Sequence, residues 1–295
     1  MSNRKKKIFI TGSSGFIGKN LVEQLKVDYE IFSPLSRQLD LTDAYEVKKY
    51  LMVNKPDFVL HCATHNATKV SDKDLSYVFK NNLKMFFNLV RCNNLYKRMF
   101  YFGSGAEYDT RNYIPNMKED YFDTHVPIDD YGFSKYIMSK YIANSSNIYD
   151  LRLFGVYGKY EDWRIRFISQ SICRALFNID ITINQNVSFD YLYIDDLVKI
   201  IRKFIESKDI TFKHYNICSG NSIDLFSLAE MVIRISKKKL KIKIKEKGYK
   251  KEYSGNNKRL LGLIKNFEFF PHESAIAKLY EWYKKNKNMI DQKFI

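Results

Sequence analysis

The chain has 295 residues, 45% of them hydrophobic, enough to bury one large α/β domain or a cofactor domain with a smaller partner. A formal charge of +16 makes a surface that attracts anions, without choosing among nucleic acid, lipid headgroups and phosphorylated small molecules. No apolar run is long enough to span a bilayer and no signal-type apolar stretch follows the basic first residues, so a cytoplasmic protein without membrane insertion is expected. Cys62, Cys92, Cys173 and Cys218 show no C-x-x-C spacing and no accompanying His pair, so they read as reduced thiols, with neither a disulfide framework nor a metal site expected.

In chain order, residues 7–11 (KIFIT) read as a short buried strand. A glycine-rich turn follows, then an amphipathic helix with Ile17, Leu21 and Leu25 on one stripe. Residues 30–36 (EIFSPLS) read as a second strand, 44–54 as a helix punctuated by Pro56, and 58–60 as the start of a third strand. Residues 82–90 lie in a helix, 99–103 (MFYFG) in a fourth strand, 130–143 in a helix and 149–154 in a strand. Strands alternating with helices imply an α/β fold with a parallel sheet and right-handed crossovers.

The last third differs. Residues 181–193 are strand-rich, 194–205 and 225–235 are helical, and a helix over 275–285 closes the chain. Leu240, Ile242 and Ile244 alternate with Lys241, Lys243 and Lys245, the pattern of a half-buried strand with a solvated lysine edge rather than a nucleic-acid groove.

The first strand ends in Thr11-Gly12-Ser13-Ser14-Gly15-Phe16-Ile17-Gly18. Gly12 permits a tight turn, Gly15 lets backbone amides approach a pyrophosphate, and Gly18 allows close helix–sheet packing. The strand–turn–helix setting is the context that this motif requires. TGSSGFIG resembles the signature of the extended short-chain dehydrogenase/reductase (epimerase/dehydratase) family. Leu39-Asp40-Leu41 is similar to that family's adenine-contacting turn, His61-Cys62-Ala63-Thr64 to its H-x-A-A stretch beside the ribose, and NLKMFFNL from Asn82 to its N-V-x-G-T-x-N-L segment.

The resemblance implies a Rossmann-type doubly wound parallel sheet built from residues 1–155 and roughly 189–217. It implies a smaller mixed α/β substrate domain from 156–188 and 218–295, and a homodimer formed through the helices around Asn82 and Tyr131. It places the cofactor against Gly12, Ser14, Gly15, Phe16, Ile17, Ser36, Arg37, Asp40, Leu41, Cys62, Ala63, Thr64, Asn82, Tyr131 and Lys135. An NAD enzyme usually carries a carboxylate after the second strand, whereas here Leu35-Ser36-Arg37-Gln38 offers Arg37 and Ser36 to a 2′-phosphate. NADP(H) is therefore expected over NAD(H).

Tyr131-Gly132-Phe133-Ser134-Lys135 gives Tyr-x-x-x-Lys, which a helix brings to one face. A phenol near pKa 10 works as an acid–base group at neutral pH only where positive charge stabilises the phenolate. Family members carry a Ser or Thr four residues before an aromatic, as in S-S-x-x-V-Y-G, and Ser104 stands four before Tyr108. The resemblance thus implies Ser104, Tyr131 and Lys135 as the catalytic set, with Gly105 and Ala106 beside the substrate. The family's 4,6-dehydratases place Asp-Glu at the positions of Gly105-Ala106, and its 3,5-epimerising reductases place a Cys at Ala106, so neither chemistry is expected.

Arg152-Leu153-Phe154-Gly155-Val156-Tyr157-Gly158 resembles R-L-F-N-V-Y-G, with Gly155 replacing a substrate-contacting Asn. Phe189-Asp190-Tyr191-Leu192-Tyr193-Ile194-Asp195-Asp196 resembles R-D-F-I-Y-V-D-D, with Phe189 replacing a diphosphate-binding Arg. Arg164 and Arg166 are candidate replacements, since guanidinium pairs bidentately with phosphate. The expected activity is NADPH-dependent reduction of a 4-keto-6-deoxy nucleotide-diphosphate sugar, serving surface-polysaccharide or glycan precursor synthesis, with no nucleic-acid partner. A nucleotide-sugar 4-epimerase and a non-catalytic cofactor- or RNA-binding protein on the same fold stay open.

Overall fold

The computed structural model describes residues 4–65 and 74–295. In chain order the elements are β1 (Lys7–Thr11), α1 (Phe16–Leu25), β2 (Glu30–Phe32), α2 (Ala44–Asn54), β3 (Phe58–His61), α3 (Val78–Val90), β4 (Arg98–Ser104), α4 (Asp130–Ala143) and β5 (Ile148–Leu153). They continue with β6 (Gly155–Tyr157), α5 (Phe167–Leu176), β7 (Ile181–Asn186), β8 (Ser188–Tyr193), α6 (Ile194–Glu206), β9 (His214–Ile217), β10 (Ser222–Asp224), α7 (Leu225–Ser236), β11 (Ile242–Tyr249), α8 (Lys258–Leu263) and α9 (His272–Lys285). The chain divides into two compact units: Met1–Asn112 with Lys118–Leu153 and Ile200–Asn216, and Tyr113–Met117 with Phe154–Lys199 and Ile217–Ile295. No helix among the described residues is long and apolar enough to cross a membrane.

The first unit is an α/β Rossmann-like fold. Its sheet runs β2-β1-β3-β4-β5-β9, and β1 pairs in parallel with both β2 and β3. The chain therefore leaves β1 toward one side for β2 and returns to its other side for β3. Doubly wound sheets bind ligands at such a reversal, outside the carboxyl ends of the strands that flank it, here β1 and β3. Apolar runs build the core: Ile8, Phe9, Ile10, Val59, Leu60 and Phe100 are fully buried. Strands buried on both faces read as continuous hydrophobic runs, as these do. Phe86 of α3 joins the helix layer to the sheet, packing edge-on to Tyr101 at 5.2 Å and to Tyr141 of α4 at 6.1 Å.

Local chemistry sets the helix ends. Asp43 caps α2 by accepting from the Tyr45 and Glu46 amides at 2.8 and 3.0 Å. The helix stops at Lys55, which is left-handed at φ 45° and precedes Pro56. Asp129 caps α4 through the Gly132 amide at 2.8 Å.

Some boundaries differ from the sequence reading. The second strand is only Glu30–Phe32, because Pro34 lacks a ladder donor and the chain turns there, with Gln38 N–H bonding Leu35 O at 2.8 Å. Residues 82–90 lie in a helix as expected, within α3, whose start is Val78, and the strand expected over 149–154 is shifted by one residue. Residues 189–199, assigned by sequence to the sheet domain, lie in the second unit because β8 pairs with β6 and β10. Tyr113–Met117, also expected in the first unit, lie in the second, where Met117 exchanges backbone hydrogen bonds with Ser254 and Asn256 at 3.0 and 2.8 Å.

The second unit is mixed α/β, with sheets β10-β8-β6 and β11-β7 and helices α5, α7, α8 and α9. The lysine strand β11 is present but largely exposed rather than half-buried, with Ile244 at 44% exposure. Among the described residues it pairs with β7 alone, and the buried apolar side chains of that pair, Ile181 and Ile183, belong to β7.

Glu161 is buried in this unit. It accepts a hydrogen bond from Ser169, while its Oε2 has no partner among the described residues. Burial pushes its carboxyl up to about 7. An acid raised in the folded state contributes stability below its unfolded pKa of about 4.3 and loses it as pH rises to the folded value. Glu161→Gln is expected to stabilise the protein at pH ~8 by about 1–3 kcal/mol and to change little near pH ~4. Urea denaturation at both pH values checks this; equal stability of the two proteins at pH ~8 would contradict it.

Candidate active site

The carboxyl ends of β1 and β3 meet at the glycine turn. Gly12 has φ +69°, and a Cβ there would lie 2.7 Å from Ala63 N and 2.9 Å from the Cys62 carbonyl carbon. A Cβ on Gly18 would sit 2.1 Å from Gly12 O. Only glycine fits these two places, which is the packing reason for the spacing. At Gly15 the nearest atom, Gly12 O, would be 3.3 Å away, so its freedom serves the approach from outside. Gly15 precedes α1, whose first turn holds no acidic residue and no side-chain cap. The Gly15 amide closes the turn on Gly12 O at 3.0 Å, so the Phe16-Ile17 end keeps its amides and the helix its positive dipole for an anion, with exposed Ser14 beside it.

A polar chain stiffens this floor. Thr11 Oγ1 accepts from Ala63 N at 3.1 Å and is hydrogen-bonded to His61 Nδ1 at 2.8 Å. Burial, reinforced by the Lys135 charge, pushes His61 down to about 3, so the ring is neutral and can accept. Asn82, buried on α3, accepts from the His65 amide at 2.7 Å and from Thr64 Oγ1 at 3.3 Å, which fixes the strand exit through Cys62, Ala63 and Thr64.

Beyond β2, Ser36 and Arg37 stand exposed in a turn tied to the glycine turn upstream, where Ser13 Oγ donates to Ser33 O at 3.1 Å. The Arg37 guanidinium makes no ion pair within the described chain. Asp40 is exposed, its Oδ1 held by the Thr42 amide and hydroxyl at 2.8 Å each, while Leu41 is buried.

Tyr131 and Lys135 lie one turn apart on α4. Lys135 is 4% exposed, and its Nζ donates to Phe102 O on β4 at 2.7 Å, 5.8 Å from the Tyr131 ring centre. Ser104 ends β4 and caps the 3₁₀ turn Gly105–Tyr108, its Oγ accepting from Ala106 N at 3.2 Å. That turn abuts α4, since a Cβ on Gly132 would lie 3.0 Å from Ala106 O. Ser104, Tyr131 and Lys135 thus sit on two touching elements of one unit.

Beneath Ser104 lies a cluster that the sequence reading did not single out. Arg152 of β5 is fully buried, with Nε 2.8 Å from Glu107 Oε2 and 3.0 Å from Asp150 Oδ2. Its other nitrogens reach Tyr108 Oη at 2.9 Å and Ser139 Oγ at 2.7 Å, and its plane stacks 4.3 Å from the Phe122 ring centre. Against the cost of burial, Arg152 and then His214 hold the Asp150 carboxyl well below the usual carboxylate range. The available signal was YDLRL, two opposite charges at i and i+2 inside a strand otherwise apolar.

In the second unit, Gly155 explains one departure from the family pattern: a Cβ there would be 2.7 Å from Asp190 O, so no Asn fits. Phe189 packs at 5.6 Å on Tyr191. Arg164 is held in a two-pronged pair by Asp162, at 2.8 and 2.7 Å, whereas Arg166 is exposed at the start of α5.

Residues 8–218 match the model of the NAD dependent epimerase/dehydratase family. The chain is similar to GDP-6-deoxy-D-talose 4-dehydrogenase of Aggregatibacter actinomycetemcomitans, 28% identical across 94% of this chain and 97% of that one. It is also similar to ADP-L-glycero-D-manno-heptose-6-epimerase of Brachyspira hyodysenteriae, 26% identical across 78% and 81%. Among solved structures, GDP-mannoheptose C4 reductase of Campylobacter jejuni with NADP bound superposes with TM-score 0.80 at 21% identity, covering 95% of this chain and 98% of that one. UDP-glucose 4-epimerase of Thermotoga maritima also gives 0.80, at 20% identity and 95% and 99% coverage.

Proposed function

The chain belongs to the NAD dependent epimerase/dehydratase family, and from that premise we propose that it reduces the 4-keto group of a 6-deoxy nucleotide-diphosphate sugar with NADPH. The observation that supports the reading is that the turn capped by Ser104 abuts α4, which carries Tyr131 and Lys135, with no acid or thiol at Gly105 or Ala106. The name of the dehydrogenase relative, which describes oxidation at C4 of a 6-deoxy GDP-sugar, supports the same bond as the one that changes.

The glycine turn fits a dinucleotide: the Gly12 cradle excludes any side chain and the α1 amides face outward to a pyrophosphate. A bound nicotinamide supplies the hydride. Tyr131 donates the proton to the ketone oxygen. Lys135, fixed by Phe102 O, supplies positive charge one helical turn from the phenol and holds the nicotinamide ribose. Ser104 donates a hydrogen bond to the same oxygen, stabilising developing charge. Arg166, exposed and without a bidentate partner such as Asp162 gives Arg164, is the stronger candidate for the diphosphate. A homodimer through α3 and α4 completes the reading.

Arg37, with Ser36, is assigned to the 2′-phosphate. Arg37→Ala is expected to raise KM for NADPH by roughly 10- to 100-fold, a loss of about 1.5–3 kcal/mol for a charge-assisted hydrogen-bond pair, and to leave KM for NADH unchanged. Equal loss with both cofactors would contradict the assignment. The function itself is tested by following nicotinamide absorbance with GDP-, dTDP-, CDP- and UDP-linked 4-keto-6-deoxy sugars. Consumption of NADPH with one of them is expected; interconversion of 4-hydroxy sugars without net consumption would make the protein a 4-epimerase instead.

A further inference from the structure

Glu107 stands where the family pattern S-S-x-x-V-Y-G has an apolar residue, and nothing in the proposed chemistry uses it. It is fully buried, as are Asp150 and Arg152. Its Oε2 accepts from Arg152 Nε at 2.8 Å, and its Oε1 accepts the backbone N–H of Ser104 at 2.9 Å. The missing side chain of Gly103 makes room for both acids: a Cβ there would lie 2.1 Å from Asp150 Oδ1 and 2.4 Å from Glu107 Oε1. Asp150 Oδ1 has no hydrogen-bond partner among the described residues. Two buried carboxyl groups thus converge on one guanidinium, and a proton between them removes the excess negative charge.

We propose that Glu107 is a positioning residue for Ser104: it shares one proton with Asp150, and as a neutral carboxyl it fastens the Ser104 backbone at the reacting site. Burial, and then the Asp150 charge, pushes the Glu107 carboxyl well above the usual range, consistent with this arrangement. The groups facing it are Asp150 and Arg152 on β5, Tyr101 on β4, Tyr108 in its own turn, and His214 on β9, whose Nδ1 is 3.2 Å from Asp150 Oδ2. The assignment of Ser104 to catalysis rests on the reductase reading; the shared proton and the tether do not.

Gln reproduces a neutral carboxyl, whereas Ala removes the tether. In a wild-type minus Glu107→Gln infrared difference spectrum at neutral pH, a protonated-carboxyl band belonging to the wild type is expected. Amide hydrogen exchange at Ser104 is expected to be unchanged in Glu107→Gln and at least ~10-fold faster in Glu107→Ala, the loss of one hydrogen bond. With an active substrate, Glu107→Gln should retain kcat within ~3-fold while Glu107→Ala loses ~10-fold or more, at unchanged KM for NADPH. Absence of the band, or exchange in Glu107→Gln as fast as in an untethered turn, overturns the proposal. If Glu107→Ala does not fold, the Gln variant still decides both points. A wild type inactive on every 4-keto sugar removes the reductase reading alone, because the band and the exchange rates are read without turnover.

Discussion

Tyr131→Phe is expected to lower kcat by about 10²- to 10⁴-fold with cofactor affinity intact, the range for losing a positioned general acid. The substitution removes one oxygen and keeps the ring, so the helix and its cap on Asp129 are undisturbed. Lys135 keeps its bond to Phe102 O, which does not involve the phenol, so its charge stays in place. The loss should therefore fall on the chemical step and spare binding, since an interaction made only in the transition state moves kcat and kcat/KM together. NADPH titration by fluorescence and steady-state rates on the same preparation separate the two. Turnover within a few-fold of wild type would remove Tyr131 from the proton-transfer step.

Arg152→Met carries the largest expected effect on stability, about 3–5 kcal/mol, the usual result of removing one partner of a buried ion pair. Methionine fills much of the volume, so the loss is electrostatic. The guanidinium nitrogens bond Glu107, Asp150, Tyr108 and Ser139, and no ammonium reproduces that fork, so Arg152→Lys should recover little. The sign with pH follows from Asp150. Its carboxyl is held below the ordinary range in the folded protein, so its contribution is present above the unfolded pKa of about 3.9 and is lost as pH falls through the folded value. Without Arg152 that contribution disappears, and the gap between wild type and Arg152→Met should narrow on acidification. Denaturation within ~1 kcal/mol of wild type at neutral pH would show that the cluster is not electrostatically coupled.

Much of the first unit could be read from local pattern. KIFIT, the glycine spacing and the Ile17-Leu21-Leu25 stripe specify β1, the turn and α1, because each constraint is satisfied by neighbours in sequence. The bounds of α4 were readable for the same reason, and the structure adds Asp129 as its cap. What the pattern could not supply depends on partners far along the chain. Glu107 and Arg152 are 45 residues apart and are brought together only by the pairing of β4 with β5. Residues 189–199 look like a return to the main sheet, yet β8 finds its partners in β6 and β10. The lysine strand was placed correctly, but its burial depended on a covering layer that β11 does not receive. Glycine at position 155 looked like a lost contact; the close carbonyl of Asp190 supplies its reason.

The central claim is that hydride from NADPH ends on C4 of a nucleotide-linked sugar, and the most direct measurement is the fate of deuterium carried at both positions of the nicotinamide C4. Incubation with the 4-keto-6-deoxy sugar that supports NADPH consumption should give a 4-hydroxy product with one deuterium at C4, by mass spectrometry and NMR. Product without label, or no product from any of the four nucleotide series, would contradict the claim.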